Sequence, residues 1–242
     1  MTGTLINVIT VLAGTALGVL LGGRLSERMS ETVLRGLGLV TAGIGLQMFL
    51  ETANVLIVLG AVLVGGLLGE WWNIEAGLNR AGEWLEARFN RNADDAEGAA
   101  RFIRGFVTAS LLFCVGPLAV LGAIQDGLTG DYRLLAVKSM LDGFAALAFS
   151  STLGIGVGFS ALSVLAYQGG ITLAAAQAQA LLSPEMVAEL TATGGVLILG
   201  ISISTLLEIK PIRVGNFLPA LVLAPLIVAA LNALGLPVSP QF

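Results

Sequence analysis

Three properties of the chain predict an all-α, polytopic transmembrane helix bundle. It is 56% hydrophobic over 242 residues, and only 12% of its residues are charged, about half the roughly 25% of an ordinary soluble domain. Its mean hydropathy is +0.91, and its apolar residues fall into runs close to the about 20 positions that cross a bilayer as a helix. It carries 32 glycines, too many for soluble helices but suited to membrane helices whose backbones approach closely.

Taken in order, the apolar runs place seven or eight spans, at 4–21, 36–50, 54–69, 105–124, 134–156, 159–182, 194–209 and 216–236. The second and third are short. The fifth and sixth meet at Gly154-Ile155-Gly156-Val157-Gly158, which reads either as a tight turn or as a flexible, broken helix. The sixth is the most polar, through Gln168, Gln177 and Gln179.

Charge favours eight spans. With the N-terminus outside, the cytoplasmic segments hold Arg24, Arg28, Arg35, Arg80, Arg88, Arg91, Arg101, Arg104, Lys210 and Arg213, ten of the twelve basic residues. That is the positive-inside bias. Outer segments then carry Glu51, Asp126, Asp131, Glu185 and Glu189, with Arg133 in an outer loop and Lys138 inside a helix. Merging the fifth and sixth runs would move Lys210 and Arg213 outside. The first run has neither the basic n-region nor the cleavage site of a secretory signal, so it is expected to stay as a helix.

A single transmembrane domain is expected over 1–242: three helices in 1–69, a polar segment in 70–104, and the remaining helices in 105–242. Within the polar segment, Ile74, Leu78, Ala81, Leu85 and Phe89 recur at helical spacing opposite Glu75, Arg80, Glu83 and Glu86, and Trp71, Trp72 and Trp84 lie there too. This pattern fits an amphipathic helix resting in the headgroup region.

Two internal similarities suggest duplication. Residues 7–22 align with 54–69 at a shift of 47, matching Asn7 to Asn54, Gly18 to Gly65 and Gly22 to Gly69. Residues 38–51 align with 195–208, matching Gly38 to Gly195, Gly43 to Gly200 and Glu51 to Glu208. In the eight-span topology the second pair is oppositely oriented, as in the inverted repeats of many transporters. Apolar helices also match by chance, so both origins stay open.

Composition excludes much chemistry. Histidine is absent and Cys114 is the only cysteine, which removes the commonest general base and metal ligand and argues against zinc or haem. No cofactor is expected. An enzyme would need Ser139 or Ser151 to work with Lys138, and residues at i, i+1 do not face each other on a helix, so no enzymatic activity is expected. The expected partners are the lipid bilayer and a small solute or ion, and no nucleic acid. The row Gly14, Gly18, Gly22, echoed by Gly65 and Gly69, is either ordinary intramolecular packing or a homodimer seam.

The candidate site centres on Lys138 and Asp142. Four residues apart, they share a helical face, and each charge costs about 2.5–3.5 kcal/mol near the bilayer centre on insertion scales. The pair is either a structural tie, with Lys138 snorkelling to the interface, or a gating or coupling-ion site with Asp142 as the exchangeable ligand. Pro117, inside the fourth run, frees a carbonyl and bends the chain beside Cys114. Gln125 and Asp126 stand at what reads as a helix end at the outer surface. Ser151, Gln168 and Asn216 are further polar positions in apolar surroundings, and together these residues outline a candidate solute or ion path. No metal-ligand set is defined.

At these positions the chain resembles a bacterial family of multi-spanning membrane proteins known as domain of unknown function 554. The resemblance runs nearly end to end. It rests on Gly3-Thr4-Leu5-Ile6-Asn7, Cys114-Val115-Gly116-Pro117, Gln125-Asp126-Gly127, Lys138-Ser139-Met140-Leu141-Asp142-Gly143, Tyr167-Gln168-Gly169 and Asn216-Phe217-Leu218-Pro219-Ala220. It implies a multi-pass protein of the inner (plasma) membrane and lends no activity. Separately, Asp142-Gly143-Phe144-Ala145 is similar to the Asp-x-Phe-Ala signature of small bacterial manganese exporters, which implies a cation as the solute. The expected function is a transporter or channel for a small solute; the alternative is a structural or regulatory membrane protein without transport activity.

Overall fold

The computed structural model describes residues 1–22, 26–89 and 96–239; Arg24 and Arg91, two of the basic residues used above, lie outside them. Among the described residues there are eleven α-helices and no strand: α1 (Thr2–Gly22), α2 (Glu27–Phe49), α3 (Val55–Trp72), α4 (Ile74–Phe89), α5 (Ala96–Val115), α6 (Pro117–Thr129), α7 (Arg133–Leu153), α8 (Gly156–Leu173), α9 (Ala175–Leu181), α10 (Pro184–Ile201) and α11 (Pro219–Ala233). A π-helical turn, Ser202–Leu206, continues α10, and a 3₁₀ turn, Val214–Phe217, leads into α11. Among the described residues, eight helices are long and apolar enough to cross a membrane: α1, α2, α3, α5, α7, α8, α10 with its π turn, and α11 with its 3₁₀ turn.

The chain divides into two compact units. The first joins Met1–Gly38 to Leu78–Ala178, and the second joins Leu39–Gly77 to Gln179–Phe242.

In the first unit α1 lies along α7. Gly14 faces the carbonyl of Gly143, Gly18 that of Leu147 and Gly22 that of Ser151, each so closely that a Cβ would overlap the oxygen. In lipid no hydrophobic force drives helices together, and this kind of backbone approach supplies the packing instead. The contact positions rise together, so the two helices are parallel. Beside them α5 and α8 are also parallel, with Gly156 against Phe102, Gly105 against Leu153 and Val157, and the Ser110 and Ser163 hydroxyls 2.9 Å apart. The second unit uses the device in antiparallel form. On α3, Gly65 abuts Ala220 and Gly69 abuts the carbonyl of Asn216. Gly45 of α2 and Gly195 of α10 each face the other's carbonyl. The glycine rows are thus occupied by helix pairs within the chain.

These directions agree with eight alternating crossings. Numbered along the chain, spans one and five, and four and six, must run the same way; three and eight, and two and seven, must run oppositely. A seven-span fold with α7 and α8 merged is excluded, because α7 stops at Gly154, whose φ of 77° suits glycine. The glycine-rich segment is therefore a tight turn, and α8 starts at Gly156.

Two elements differ from the sequence expectation. The fourth span is no single bent helix: α5 ends at Val115, Gly116 is extended (φ −74°, ψ 149°), and Pro117 opens α6. Proline at a first helical position loses no internal bond, because its missing N–H has no partner there anyway. The seventh span starts at Pro184 rather than at residue 194. Ser183 caps it by accepting from the Met186 N–H at 3.3 Å, so Glu189 lies in a membrane helix and not in an outer loop. A lone acid in an apolar run reads as a boundary, yet it is tolerated when its partners are supplied.

Candidate functional site

α7 turns its charge inward. Val137, Met140, Leu141 and Phe144 are exposed along one face, while Leu135, Lys138, Ser139, Asp142 and Ala146 are buried on the other. A soluble helix has the reverse polarity, and this one is built to sit in lipid. Lys138 retains 4% of its accessible surface and Asp142 8%, so the lysine does not snorkel.

Lys138 Nζ donates to Asp142 Oδ2. The same oxygen accepts from Asn7 Nδ2 of α1 at 3.0 Å. Asn7 Nδ2 also donates to Gln168 Oε1 of α8 at 3.1 Å, and Gln168 Nε2 donates to Thr4 Oγ1 at 3.1 Å. The Thr172 hydroxyl is committed to the Gln168 carbonyl at 2.9 Å, so across the 3.4 Å separation of the two threonine hydroxyls Thr4 is the donor. Three helices thus enclose a polar network of Thr4, Asn7, Lys138, Asp142, Gln168 and Thr172, all buried. One acceptor is left over: Asn7 Oδ1 is buried with no hydrogen-bond partner. At 1.5 Å per residue, Asp142 stands about 14 Å beyond the start of α7 and Asn7 about 8 Å beyond the start of α1, inside the roughly 30 Å hydrocarbon layer.

The α5–α6 break belongs to the same unit as this network, where both α5 and α6 pack on α7 and α8. The last carbonyls of a helix have no intrahelical donors. Irregular backbone at membrane depth is tolerated where it is buried in protein or lines a cavity.

Other residues picked out in the sequence have different settings. Asp126 is buried and accepts the Gly3 N–H at 3.1 Å, so it caps α1 instead of ending a helix at the surface; α6 continues to Thr129 and closes at Gly130, φ 73°. Gln125 donates to Asp131 at 3.2 Å. Ser151 turns back to the Ala148 carbonyl at 2.7 Å and joins no network. Asn216 belongs to the second unit. It donates to Glu70 at 2.7 Å and accepts the Glu75 N–H at 2.8 Å, while Glu75 accepts the Gly215 N–H at 2.6 Å. Burial raises the Glu75 carboxyl above its ordinary value; the Gly215 N–H and Arg213 oppose that rise, and Glu70 adds to it.

Sequence reasoning left Thr4, Thr172 and Glu189 out of the candidate site. Threonines in an apolar run carry no signal of their own. Glu189 is fully buried and accepts from Thr52 Oγ1 at 2.8 Å, Ala53 N at 2.8 Å and Asn54 N at 3.0 Å. In each unit, then, a buried carboxylate from another helix satisfies the N–H groups at a helix start. Among the described residues no group of three or more Cys, Asp or Glu is placed to hold a metal ion.

Comparison with known proteins finds relatives that match nearly the whole chain. The chain is 36% identical over 231 residues to the uncharacterized protein YqgA of Escherichia coli K12, covering 96% of this chain and 97% of that one. It is 29% identical over 240 residues to the uncharacterized membrane protein YdfK of Bacillus subtilis 168, covering 98% and 99%. No solved structure matches. The model of the family described as "Protein of unknown function (DUF554)" matches residues 2–229, and the chain belongs to that family.

Proposed function

We propose that this membrane protein is a transporter or channel for a small solute, whose path passes Asp142 and Lys138 in the first unit. It would reside in the inner (plasma) membrane with the N-terminus outside, an orientation that puts ten of the twelve basic residues in cytoplasmic segments or at the cytoplasmic ends of the spans. The observation that carries the reading is the buried Lys138–Asp142 pair set beside a broken helix. Intramembrane ionisable residues mark substrate or ion pathways by default, and discontinuous helices are the recurrent way membrane proteins build a midplane site.

Water access separates this reading from that of a structural protein whose polar residues only tie helices together. Cys114, native and unique, stands at the break and reports on it. A small charged thiol reagent applied from water to the folded protein in liposomes is expected to label Cys114. A folded protein that stays unlabelled, yet reacts once denatured, would favour the structural reading.

A further inference from the structure

The network around Asp142 has an unbalanced ledger of donors and acceptors. Asn7 spends both Nδ2 hydrogens, on Asp142 and on Gln168, and its Oδ1 is left buried without a donor. An unmet acceptor in an apolar surround is unfavourable, and its oxygen lies on the same carboxamide that holds Asp142. Asp142, for its part, is neutralised by an ammonium on a flexible stem, Lys138 Nζ.

We infer that Asp142 and Asn7 form a site for a monovalent cation, alkali-metal or ammonium, and that Lys138 is its built-in competitor. The inference rests on the solute-path reading and deepens it by naming the solute class. Two helices bring oxygen acceptors to this network, the Asp142 carboxylate of α7 and, on the Asn7 carboxamide of α1 that bonds it, the unpartnered Oδ1, and oxygen suits a hard cation. Charge sets the valence. The Lys138–Asp142 pair is neutral as it stands, so one monovalent ion taking the place of the ammonium at Asp142 keeps the carboxylate compensated. A divalent ion would leave an extra positive charge in a low-dielectric interior, and such ions are usually held by several carboxylates or carbonyls. With Asp142 the one carboxylate in the network and no group of three or more acidic or thiol side chains among the described residues, a divalent transition metal is disfavoured at this position. Exchange is then a displacement: the cation enters, the Lys138 ammonium swings off Asp142 along its stem to water at the N-terminal end of α7, about 8 Å away, so that no unpaired charge stays inside, and the return of the ammonium expels the ion.

The experiment is thermal melting of the full-length protein in lithium, sodium, potassium or ammonium chloride at constant ionic strength against choline chloride, with manganese and magnesium chloride as comparators. The expected result is a saturable rise in melting temperature with at least one monovalent ion. In Lys138→Met, which lacks the competitor, the midpoint concentration is expected to fall by about tenfold or more. In the charge-neutral double variant Lys138→Met/Asp142→Asn the rise is expected to vanish. Should Lys138→Met fail to fold, wild type against the double variant decides. A rise with the divalent ions alone, a rise that persists in the double variant, or a folded Lys138→Met that binds no more tightly than wild type would overturn the inference. Liposome flux separates it from the reading it rests on: a divalent ion carried in an Asp142-dependent way leaves transport standing and removes the monovalent site. Monovalent binding without flux of any solute does the opposite.

Discussion

The carboxylate of Glu189, fully buried in α10, accepts the backbone N–H of Asn54 at 3.0 Å. It also takes the Ala53 N–H and the Thr52 hydroxyl, so the turn into α3 is tied to another helix, while Asn54 Oδ1 caps α3 itself by accepting the Leu56 N–H at 3.1 Å. A carboxylate suits that position because the first N–H groups of a helix have no internal partner and carry partial positive charge. Glu189→Ala strands those donors in an apolar setting and is expected to cost about 3 kcal/mol or more. Glu189→Gln keeps an acceptor oxygen and should cost less. Melting temperatures of the two variants check this; equal, small losses would mean that the tie carries little.

The Gly18 contact with the Leu147 carbonyl leaves no room for a methyl group, whereas nothing lies within 4 Å of a Cβ built at Gly43. Gly18→Ala is therefore expected to lose about 1–3 kcal/mol by pushing α1 off α7. Gly43→Ala should be neutral or slightly stabilising through helix propensity. Reversible unfolding in detergent compares them, and a reversed order would contradict the parallel α1–α7 pairing.

Removing one member of the Lys138–Asp142 pair leaves the other charge uncompensated in the interior. Lys138→Met and Asp142→Asn are each expected to cost about 3–5 kcal/mol, while the double variant should be far milder than their sum. A double-mutant cycle on melting reads the coupling. Additive losses would mean that the two groups do not feel each other.

At Glu75 the prediction concerns pH. Its carboxyl is raised above 4.5, chiefly by burial, so between the unfolded and folded values the native state binds more protons than the unfolded one. Its contribution to stability is then full below about 4.5 and is lost as pH rises through the folded value. Glu75→Gln should flatten that decline in a melting series from acid to neutral pH. An unchanged slope would place the titration elsewhere.

The sequence made the spans legible because hydropathy reports what lipid demands, and it placed Lys138 and Asp142 on one inward face because four-residue spacing is local. Partners across helices were not legible. Asn7 and Gln168 stood out as polar residues in apolar runs, but nothing in their spacing says that both meet at Asp142, since helix adjacency leaves no periodic trace. Glu189 was misplaced for the same reason: its donors, residues 52–54, come from a distant part of the chain. Pro117 signalled an interruption at the right residue, and only the extended backbone of Gly116 distinguishes a fresh helix start from a kink.

The most direct test of the central claim is solute flux into liposomes holding equal amounts of folded wild type, Asp142→Asn, and Ser151→Ala as a control, since Ser151 bonds only within its own helix turn. The account predicts a solute carried by wild type and by Ser151→Ala, with Asp142→Asn slower by about tenfold or more, as befits a charge that is kept in the membrane for function. Equal flux through folded wild type and Asp142→Asn would contradict it.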